Sequence, residues 1–240
     1  MAMEMQHQAM GYDRAATLFS PEGRLLQVEY AEKTVRLGSS TIGMVCSNGT
    51  LIVTDRRTVD PLMMPEFSMK INQIDEHVIT SAAGILSDAR VLLEKAQIFA
   101  QQHRITYEEP ADVESIMKEI ANIKQAYTQY GGVRPFGIKM MVAGVNPDDT
   151  AKLFVSEVTG NYFSYKATAI GENDDKIIDM LRSSYKSTLT IDQGIKLALS
   201  IFKKILGKSF NVSRFEAYYV DKEDKVAKRL VSEKLASYIK

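Results

Sequence analysis

A chain of 240 residues, 45% of them apolar and 25% charged, has the length and composition of a globular protein with one sizeable core. Thirty basic residues are balanced by thirty acidic ones, which argues against a nucleic-acid surface and against binding to an anionic membrane. No stretch approaches about 18 continuous apolar residues, so we expect no membrane-spanning helix.

Cysteine and histidine are too few and too scattered for disulfide or metal chemistry. Cys46 is the single cysteine, so no internal disulfide can form, which suits a reducing cytoplasm. His7, His77 and His103 show no ligand spacing with one another, with Cys46 or with an acidic pair. The first ten residues have neither a basic flank nor an apolar segment and do not resemble a signal peptide. We therefore expect a cytoplasmic protein without a metal or another cofactor.

The first predicted element is a helix near the amino terminus. Residues 1–11 show no periodic pattern, so we expect a flexible tail there. Ser20 is a good N-cap, and Pro21 suits the first helical position. Apolar residues then recur on two faces until Gly38, which predicts a helix over about 21–34 with two contacted faces.

After this helix, the pattern predicts strands in blocks and helices in pairs. Asn48-Gly49 is a strong hairpin signal between the first two strands, and Asp75-Glu76 separates the next two. The predicted elements are strands at 41–46, 50–54, 70–74 and 78–82, helices at 84–104 and 113–127, strands at 138–145, 152–157 and 162–170, helices at 173–185 and 191–206, a strand at 213–221 and a helix at 229–239.

The order of these elements predicts the fold class. Strand blocks and helix pairs favour segregated layers over alternating βαβ units. Each antiparallel sheet needs a cover on its outer face, which two pairs of helices can supply. We therefore predict an α+β fold, a four-layer αββα sandwich with two antiparallel sheets between helix pairs. No linker-like segment divides residues 1–240, which predicts a single domain.

Four sequence blocks stand out along the chain: Tyr12-Asp13-Arg14 with Ser20–Ala31, Gly84–Arg90, Tyr127–Gly137 and Tyr165–Gly171. In composition and order they resemble blocks of proteasome α-subunits. This resemblance implies a fold of the N-terminal-nucleophile hydrolase type, in which a gate tail at 1–11 and an N-terminal helical segment at 20–37 precede a core at 38–240.

The resemblance implies surface roles for two groups of residues. One group would cluster between neighbouring subunits and hold a gate open; it comprises Tyr12, Asp13, Pro21 and Tyr30. The other would line a narrow axial opening, the pore annulus; it comprises Tyr130, Gly131, Gly132, Val133 and Arg134. Both groups also have plain structural interpretations, as helix capping with ordinary packing and as a helix C-cap followed by a turn.

Lys70 is the residue that the resemblance links to an activator. It would lie in a pocket between adjacent α-subunits, where the C-terminal carboxylate of an ATPase tail docks. Loss of a buried charge partner of this kind costs about 2–5 kcal/mol, whereas an exposed pair contributes roughly 0–1 kcal/mol. The alternative interpretation is a solvated lysine at a strand start. No role is assigned to Arg56 or Arg57.

Catalysis is the alternative that must be weighed against these roles. Active β-subunits of the same family use an N-terminal Thr that is freed by cleavage after Gly, and here Gly38-Ser39 stands at that point with Asp55 and Lys70 as partners. However, Ser39 replaces Thr, cleavage would discard the N-terminal helix, and Lys208-Ser-Phe-Asn lacks the small residues of active relatives. We therefore expect no catalytic residue.

The resulting hypothesis is a non-catalytic ring subunit. The implied partners are other α-subunits in a seven-membered ring, proteasome β-subunits, the C-terminal tails of AAA ATPase activators and unfolded polypeptide substrates, but neither nucleic acid nor a membrane. The two-faced helix would contact the helix at 84–104 of a neighbour. A self-processing Ser39 peptidase and a free-standing monomeric adaptor of the same fold are the alternatives.

Overall fold

Two five-stranded antiparallel sheets are stacked in the computed structural model, which describes residues 11–12, 14–57, 62–64, 68–230 and 232–239. Residues 1–10 of the predicted gate tail and Asp13 lie outside the described residues. The helices are α1 (Leu26–Leu37), α2 (Leu86–Tyr107), α3 (Val113–Tyr127), α4 (Asp174–Ser184), α5 (Ile191–Leu206) and α6 (Ser232–Leu235). The strands are β1 (Thr41–Cys46), β2 (Gly49–Asp55), β3 (Ile71–Asp75), β4 (Val78–Gly84), β5 (Ile138–Val145), β6 (Ala151–Ser156), β7 (Tyr162–Ser164), β8 (Ala167–Ile170), β9 (Phe215–Asp221) and β10 (Ala227–Leu230).

The strand order confirms the predicted fold class. One sheet has the order β10-β9-β2-β1-β8 and the other the order β3-β4-β5-β6-β7, with every neighbouring pair antiparallel. Helices α4 and α5 cover the first sheet, and α2 and α3 cover the second. The central strand β2 is buried along its whole length because both of its faces are covered.

Helix α1 closes one end of the core between the sheets. Val28, Ala31 and Val35 are buried against inward-facing residues of both sheets, such as Ile52 and Met141. The side chain of Leu37, on the opposite face, is 73% exposed. Of the residues that predict the second face, Leu26 is buried and Tyr30 is half-buried, so that only the C-terminal end of this face, at Leu37, is open to solvent.

The predicted start of this helix is wrong by five residues. Residues 20–23, which include Pro21, form a β-turn, in which the Gly23 N–H donates to the Ser20 carbonyl at 2.8 Å. Gly23 has φ +76°, a conformation that an α-helix cannot contain. Ser20 therefore caps no helix, and its hydroxyl accepts a hydrogen bond from the Arg24 N–H at 3.2 Å.

Two further predicted elements are wrong. The strand predicted at 162–170 is two strands in different sheets, because β7 pairs with β6 whereas β8 pairs with β1. The helix predicted at 229–239 is replaced by β10, which pairs with β9, and by the short helix α6 with one 3₁₀ turn after it. The hairpin between β1 and β2 is confirmed, with Cys46 opposite Gly49.

Gly38 ends α1 at a point where there is no room for a side chain. A Cβ atom on Gly38 would lie 2.4 Å from the backbone nitrogen of Gly84. No real Cβ contact is that short, and backbone atoms cannot rotate away. The end of α1 is therefore pressed directly against the end of β4.

We predict that Gly38→Ala lowers the stability of the fold by about 1–3 kcal/mol, the usual cost of overpacking. Thermal unfolding of the purified protein measures this as a lower melting temperature. Gly131→Ala is the matched control, because a Cβ there would meet no atom within 4 Å. Equal melting temperatures for the two variants would contradict the predicted clash.

Candidate functional site

The peptide bond between Gly38 and Ser39 lies in a half-buried seam between the end of α1 and the start of β1. The Gly38 carbonyl accepts a hydrogen bond from the Glu172 N–H at 2.8 Å. The Ser39 carbonyl accepts one from Lys70 Nζ, and the Ser40 hydroxyl donates one to the Glu172 carbonyl. Backbone and side-chain groups thus hold this segment from two sides.

Lys70 directs its ammonium group into this seam. Its Nζ donates to the Ser39 carbonyl and to Thr41 Oγ1, the latter at 3.2 Å. Burial lowers the pKa of Lys70 to about 7. The negative charge of Asp55 opposes this shift, and the positive charge of Arg57 acts in the same direction as burial. Lys70 is therefore a half-buried lysine with defined partners, in contrast to a freely solvated strand-start lysine.

Asp55 forms an ion pair with Arg214, a residue that the sequence analysis did not single out. Its buried carboxylate accepts hydrogen bonds from Arg214 Nη2 at 2.6 Å and from Arg214 Nε at 3.1 Å. A neighbouring acid, Glu216, is also buried and accepts the Lys70 backbone N–H at 2.6 Å. Burial raises the pKa of Glu216, although hydrogen bonds from two backbone N–H groups oppose the shift. No sequence motif marks Arg214, which ends a 3₁₀ turn just before β9, or Glu216, which lies at the start of β9.

A cavity of about 340 Å³ opens beside Lys70. Arg56 and Arg57 also line it, so that three cationic side chains border one space. Leu37 and Met63 supply apolar walls. A larger cavity of about 750 Å³ lies on the other side of α1, but none of the predicted site residues lines it.

The glycine loop after α3 projects into solvent at its tip. The side chain of Tyr130 is 61% exposed and that of Val133 is 37% exposed. Gly132 has φ +83°, which glycine adopts without strain. A Cβ on Gly131 or Gly132 would meet no atom within 4 Å. The tip of the loop, residues 130–133, is therefore exposed in the single chain.

Arg134, the fifth residue assigned to the pore annulus, anchors the base of the same loop. Its two terminal nitrogens each donate to the Asp88 carboxylate at 2.6 Å. Asp88, at the start of α2, also accepts the Gly137 N–H at 2.9 Å. Burial would raise the pKa of Asp88, but the hydrogen bonds from Arg134 and Gly137 hold it below its usual range. Two of the four sequence blocks are therefore bonded to each other.

A fully buried lysine, Lys124, supports the α3 side of this loop. Lys124 lies in the last turn of α3, and its Nζ donates to the Ile138 carbonyl at 2.8 Å and to Ser156 Oγ at 3.1 Å. Burial lowers the pKa of Lys124 to about 7. The sequence pattern places Lys124 on a helix but gives no sign that it is buried. Lys124 thus connects the α3 side of the loop to the sheet, whereas Arg134 connects its other side to α2.

The residues of the predicted gate cluster lie at the amino end of the described chain. Pro21 is exposed at the tip of the turn before α1, while Tyr12 and Tyr30 are half-buried. Arg24 joins this turn to α1, because its Nε donates to the Glu29 carboxylate at 2.5 Å. The turn and the helix are thus linked, with Pro21 and Tyr30 both accessible to a neighbouring chain.

Two negative findings concern the described part of the chain. Across the described ranges, no group of three or more His, Cys, Asp or Glu side chains could hold a metal ion. Within those same ranges, no helix combines the length and the hydropathy that crossing a membrane requires.

The chain is similar to known proteins along nearly its whole length. A family model described as proteasome subunit matches residues 35–220, and a second model, described as the N-terminal signature of the A-type proteasome subunit, matches residues 12–33. The chain is 40% identical to the proteasome alpha subunit of Pyrococcus abyssi, covering 95% of this chain and 87% of that protein. It is 40% identical to the proteasome alpha subunit of Archaeoglobus fulgidus, covering 96% and 93%. It is 39% identical to the proteasome alpha subunit of Methanosarcina barkeri, covering 99% and 94%.

We predict that Arg134→Gln loosens the glycine loop. Charged hydrogen bonds contribute about 1.5–3 kcal/mol, and solvent screening of a guanidinium that is 57% exposed reduces the expected loss to about 1 kcal/mol. Hydrogen exchange should rise in residues 130–137 and the melting temperature should fall. Arg182→Gln, which removes an exposed ion pair with Asp179, is the control and should change neither.

The loss of stability in Arg134→Gln should depend on pH. Because the folded-state pKa of Asp88 lies below its unfolded value, its contribution is present at neutral pH and is lost as the pH falls through the folded-state pKa. The melting temperatures of the wild type and of Arg134→Gln should therefore converge in acid. A difference that persists at low pH would contradict the assigned role of the ion pair.

Proposed function

The chain belongs to the proteasome α-subunit family, and we propose that it controls access to a proteolytic chamber without cleaving peptide bonds itself. As a member of this family, it assembles with other proteasome subunits in the core particle. The proposed assembly is a seven-membered outer ring of α-subunits stacked on a ring of β-subunits, working in the cytoplasm. Unfolded polypeptides are the proposed substrates that pass through the ring.

The hydrogen bonding of the seam at Gly38-Ser39 is the observation that carries the non-catalytic role. A hydrolase of this type would need the α-amine of Ser39 freed by cleavage and a lysine available to assist it, but here Lys70 binds the Ser39 carbonyl and the Glu172 N–H binds the Gly38 carbonyl. Asp55, the acid expected to act with Lys70, is engaged by Arg214. The lysine and the acid, which are the residue types that serve catalysis in β-subunits, here form structural contacts with Ser39 and Arg214.

Removal of the N-terminal segment would also cost stability. Cleavage before Ser39 would release α1, which buries Val28 and Val35 in the core between the sheets. Burial of one such side chain is worth about 1.5–3 kcal/mol. The self-processing alternative would therefore expose core surface that nothing else in the described chain covers.

The exposed tip of the glycine loop supports the annulus role. In a closed ring, one loop from each subunit would converge on the axis, and Tyr130 and Val133 would border the opening. The Asp88–Arg134 ion pair supports a fixed loop position, since it ties the loop base to α2. A narrow opening with fixed walls admits an unfolded chain and excludes a folded domain. Residues 1–11 would close this opening, and the proposed cluster of Tyr12, Asp13, Pro21 and Tyr30 would hold them in the open position.

The cavity beside Lys70 supports activator docking. Its three cationic side chains suit the carboxylate at the end of an ATPase tail, and its apolar walls suit the side chain that precedes this carboxylate. One such contact is weak, but several tails that dock on one ring gain from their high effective concentration. Docking next to the end of α1 would displace this helix and, with it, the Pro21 turn that is bonded to its first turn.

A row of exposed apolar residues on α2 supports ring formation over a free-standing monomer. Val91, Ile98 and Ile105 recur every seven residues, and Ile105 is 81% exposed. This spacing places them on one face of the helix, away from the sheet. A monomeric adaptor would leave this row in water, whereas a neighbouring subunit would cover it. The exposed face of α1 is the proposed partner surface.

We predict that the assembled chain keeps its full mass of 26.9 kDa. Ser39→Ala should leave peptide hydrolysis by a reconstituted α/β particle unchanged, because Ser39 acts only through its backbone. The matched control replaces the N-terminal Thr of the β-subunit, which should abolish hydrolysis. Loss of the first 38 residues, or loss of activity in Ser39→Ala, would support the self-processing alternative instead.

We predict that deletion of residues 2–11 raises hydrolysis of a short peptide several-fold in the reconstituted particle. The deletion removes the proposed plug but leaves the catalytic β-ring intact. A covalent inhibitor titration should give equal numbers of active sites in both particles, which controls for assembly. If hydrolysis per active site does not rise, the tail is not the gate.

A further inference from the structure

Glu216 is a buried acid that joins the two sheets next to Lys70. It lies on β9 of the first sheet, opposite Thr54 of β2, and is 1% exposed. Its Oε1 accepts the backbone N–H of Lys70 at 2.6 Å and that of Ile71 at 2.8 Å, and both donors lie at the start of β3 in the second sheet. One carboxylate oxygen therefore holds the beginning of a strand against the neighbouring sheet.

The strand ladder does not fix Lys70 by itself. The first ladder pair of β3 joins Ile71 to Ser81 of β4, and in the described sheets β3 is an edge strand with β4 as its single neighbour. Lys70 precedes this pair, and its backbone N–H is bonded to Glu216 instead of to a strand. Loss of the Glu216 carboxylate would therefore release residue 70 from the core.

Lys70 is held at both of its ends. Glu216 binds its backbone, and the seam binds its Nζ through the Ser39 carbonyl and Thr41 Oγ1. An ammonium group has three donors, so these two contacts leave one donor for a ligand in the cavity that Lys70 lines. Because a lysine carries its charge on a flexible four-carbon stem, that charge has a fixed position only if the backbone and the ammonium are both held.

The negative charge of Glu216 lies behind Lys70 and outside the cavity. Neither Glu216 nor Asp55 is among the described residues that line the cavity, and both are buried. An acid inside the cavity would repel an incoming carboxylate, whereas an acid behind Lys70 favours the charged form of the lysine. Burial lowers the pKa of Lys70 to about 7, and the charges of Asp55 and Glu216 both oppose that shift.

We propose that Glu216 is a positioning residue for docking, because its bond to the backbone of Lys70 fixes the cation that the terminal carboxylate of an activator tail meets. Glu216 itself does not touch the tail. This inference rests on the proposed docking function and names the residue that holds Lys70 in place for it.

The test measures binding of a tail peptide to the assembled α/β particle at pH 6, below the pKa of Lys70. The probe is a fluorescent seven-residue peptide copied from the C-terminus of an activator ATPase, prepared as the free acid and as the C-terminal amide. Glu216→Ala removes the acceptor and should weaken binding of the acid about tenfold, while binding of the amide should not change. Glu216→Gln keeps Oε1 as an acceptor for both N–H groups and should bind the acid within about twofold of the wild type.

Asp75 supplies the matched control for loss of a buried acid. It lies at the opposite end of β3, is 5% exposed and accepts a hydrogen bond from Arg104 at 2.9 Å, but it does not line the cavity. Asp75→Ala should lower the melting temperature, as Glu216→Ala should, but it should bind the acid as the wild type does. Lys70→Met should weaken binding of the acid, and end-on particle images must show intact rings for every variant.

The outcomes separate the role of Glu216 from docking itself. If Glu216→Ala binds the acid normally while Lys70→Met does not, the inference is overturned and docking stands without it. The inference is also overturned if Asp75→Ala or Glu216→Gln weakens binding as much as Glu216→Ala does, since stability or charge would then be responsible instead of the bond to the Lys70 backbone. If the wild type binds the acid and the amide equally, carboxylate docking is wrong and the inference falls with it.

Discussion

The contact of Gly38 with Gly84 is the constraint on which the rest of the structure depends. It brings the end of α1, the end of β4 and the start of β1 to one point, with Glu172 bonded on the other side. No side chain fits there, so backbone meets backbone. This close packing keeps the N-terminal helix on the core, holds Ser39 next to Lys70 and sets one wall of the cavity beside Lys70. The attachment of α1, the hydrogen bonding of Ser39 and the position of the cavity beside Lys70 are thus three results of the same packing.

Much of the fold could be predicted from the sequence because long amphipathic helices carry a clear periodic signal. The predictions at 113–127 and 191–206 agree with α3 and α5. The errors fall where local preference and tertiary contacts disagree. Residues 162–170 look like one strand, but the chain changes sheets at Tyr165, which only the packing of the two sheets determines. The carboxyl-terminal segment has a helical composition, but β9 offers an open edge that pairs with it.

The candidate site was predictable only where a family resemblance marked it. Lys70 does border a cavity, but its inward partners and lowered pKa depend on burial, which a sequence does not reveal. Asp55 and Arg214 are 159 positions apart, and the Lys70 N–H and Glu216 are 146 apart. The sequence assigns no role to Glu216, because neither its burial nor its contact with the backbone of Lys70 has a signal there. Long-range pairs of this kind require the folded chain.

The apolar row on α2 has a consequence for the amount of this protein in a cell. A single chain exposes Val91, Ile98 and Ile105 in a line, and such a surface favours self-association and recognition by quality-control factors. In the proposed ring, a neighbouring subunit covers this row and removes that exposure. Chains made in excess of their partners would then carry their own mark for removal, so that the side chains proposed to hold the particle together would also enforce its stoichiometry.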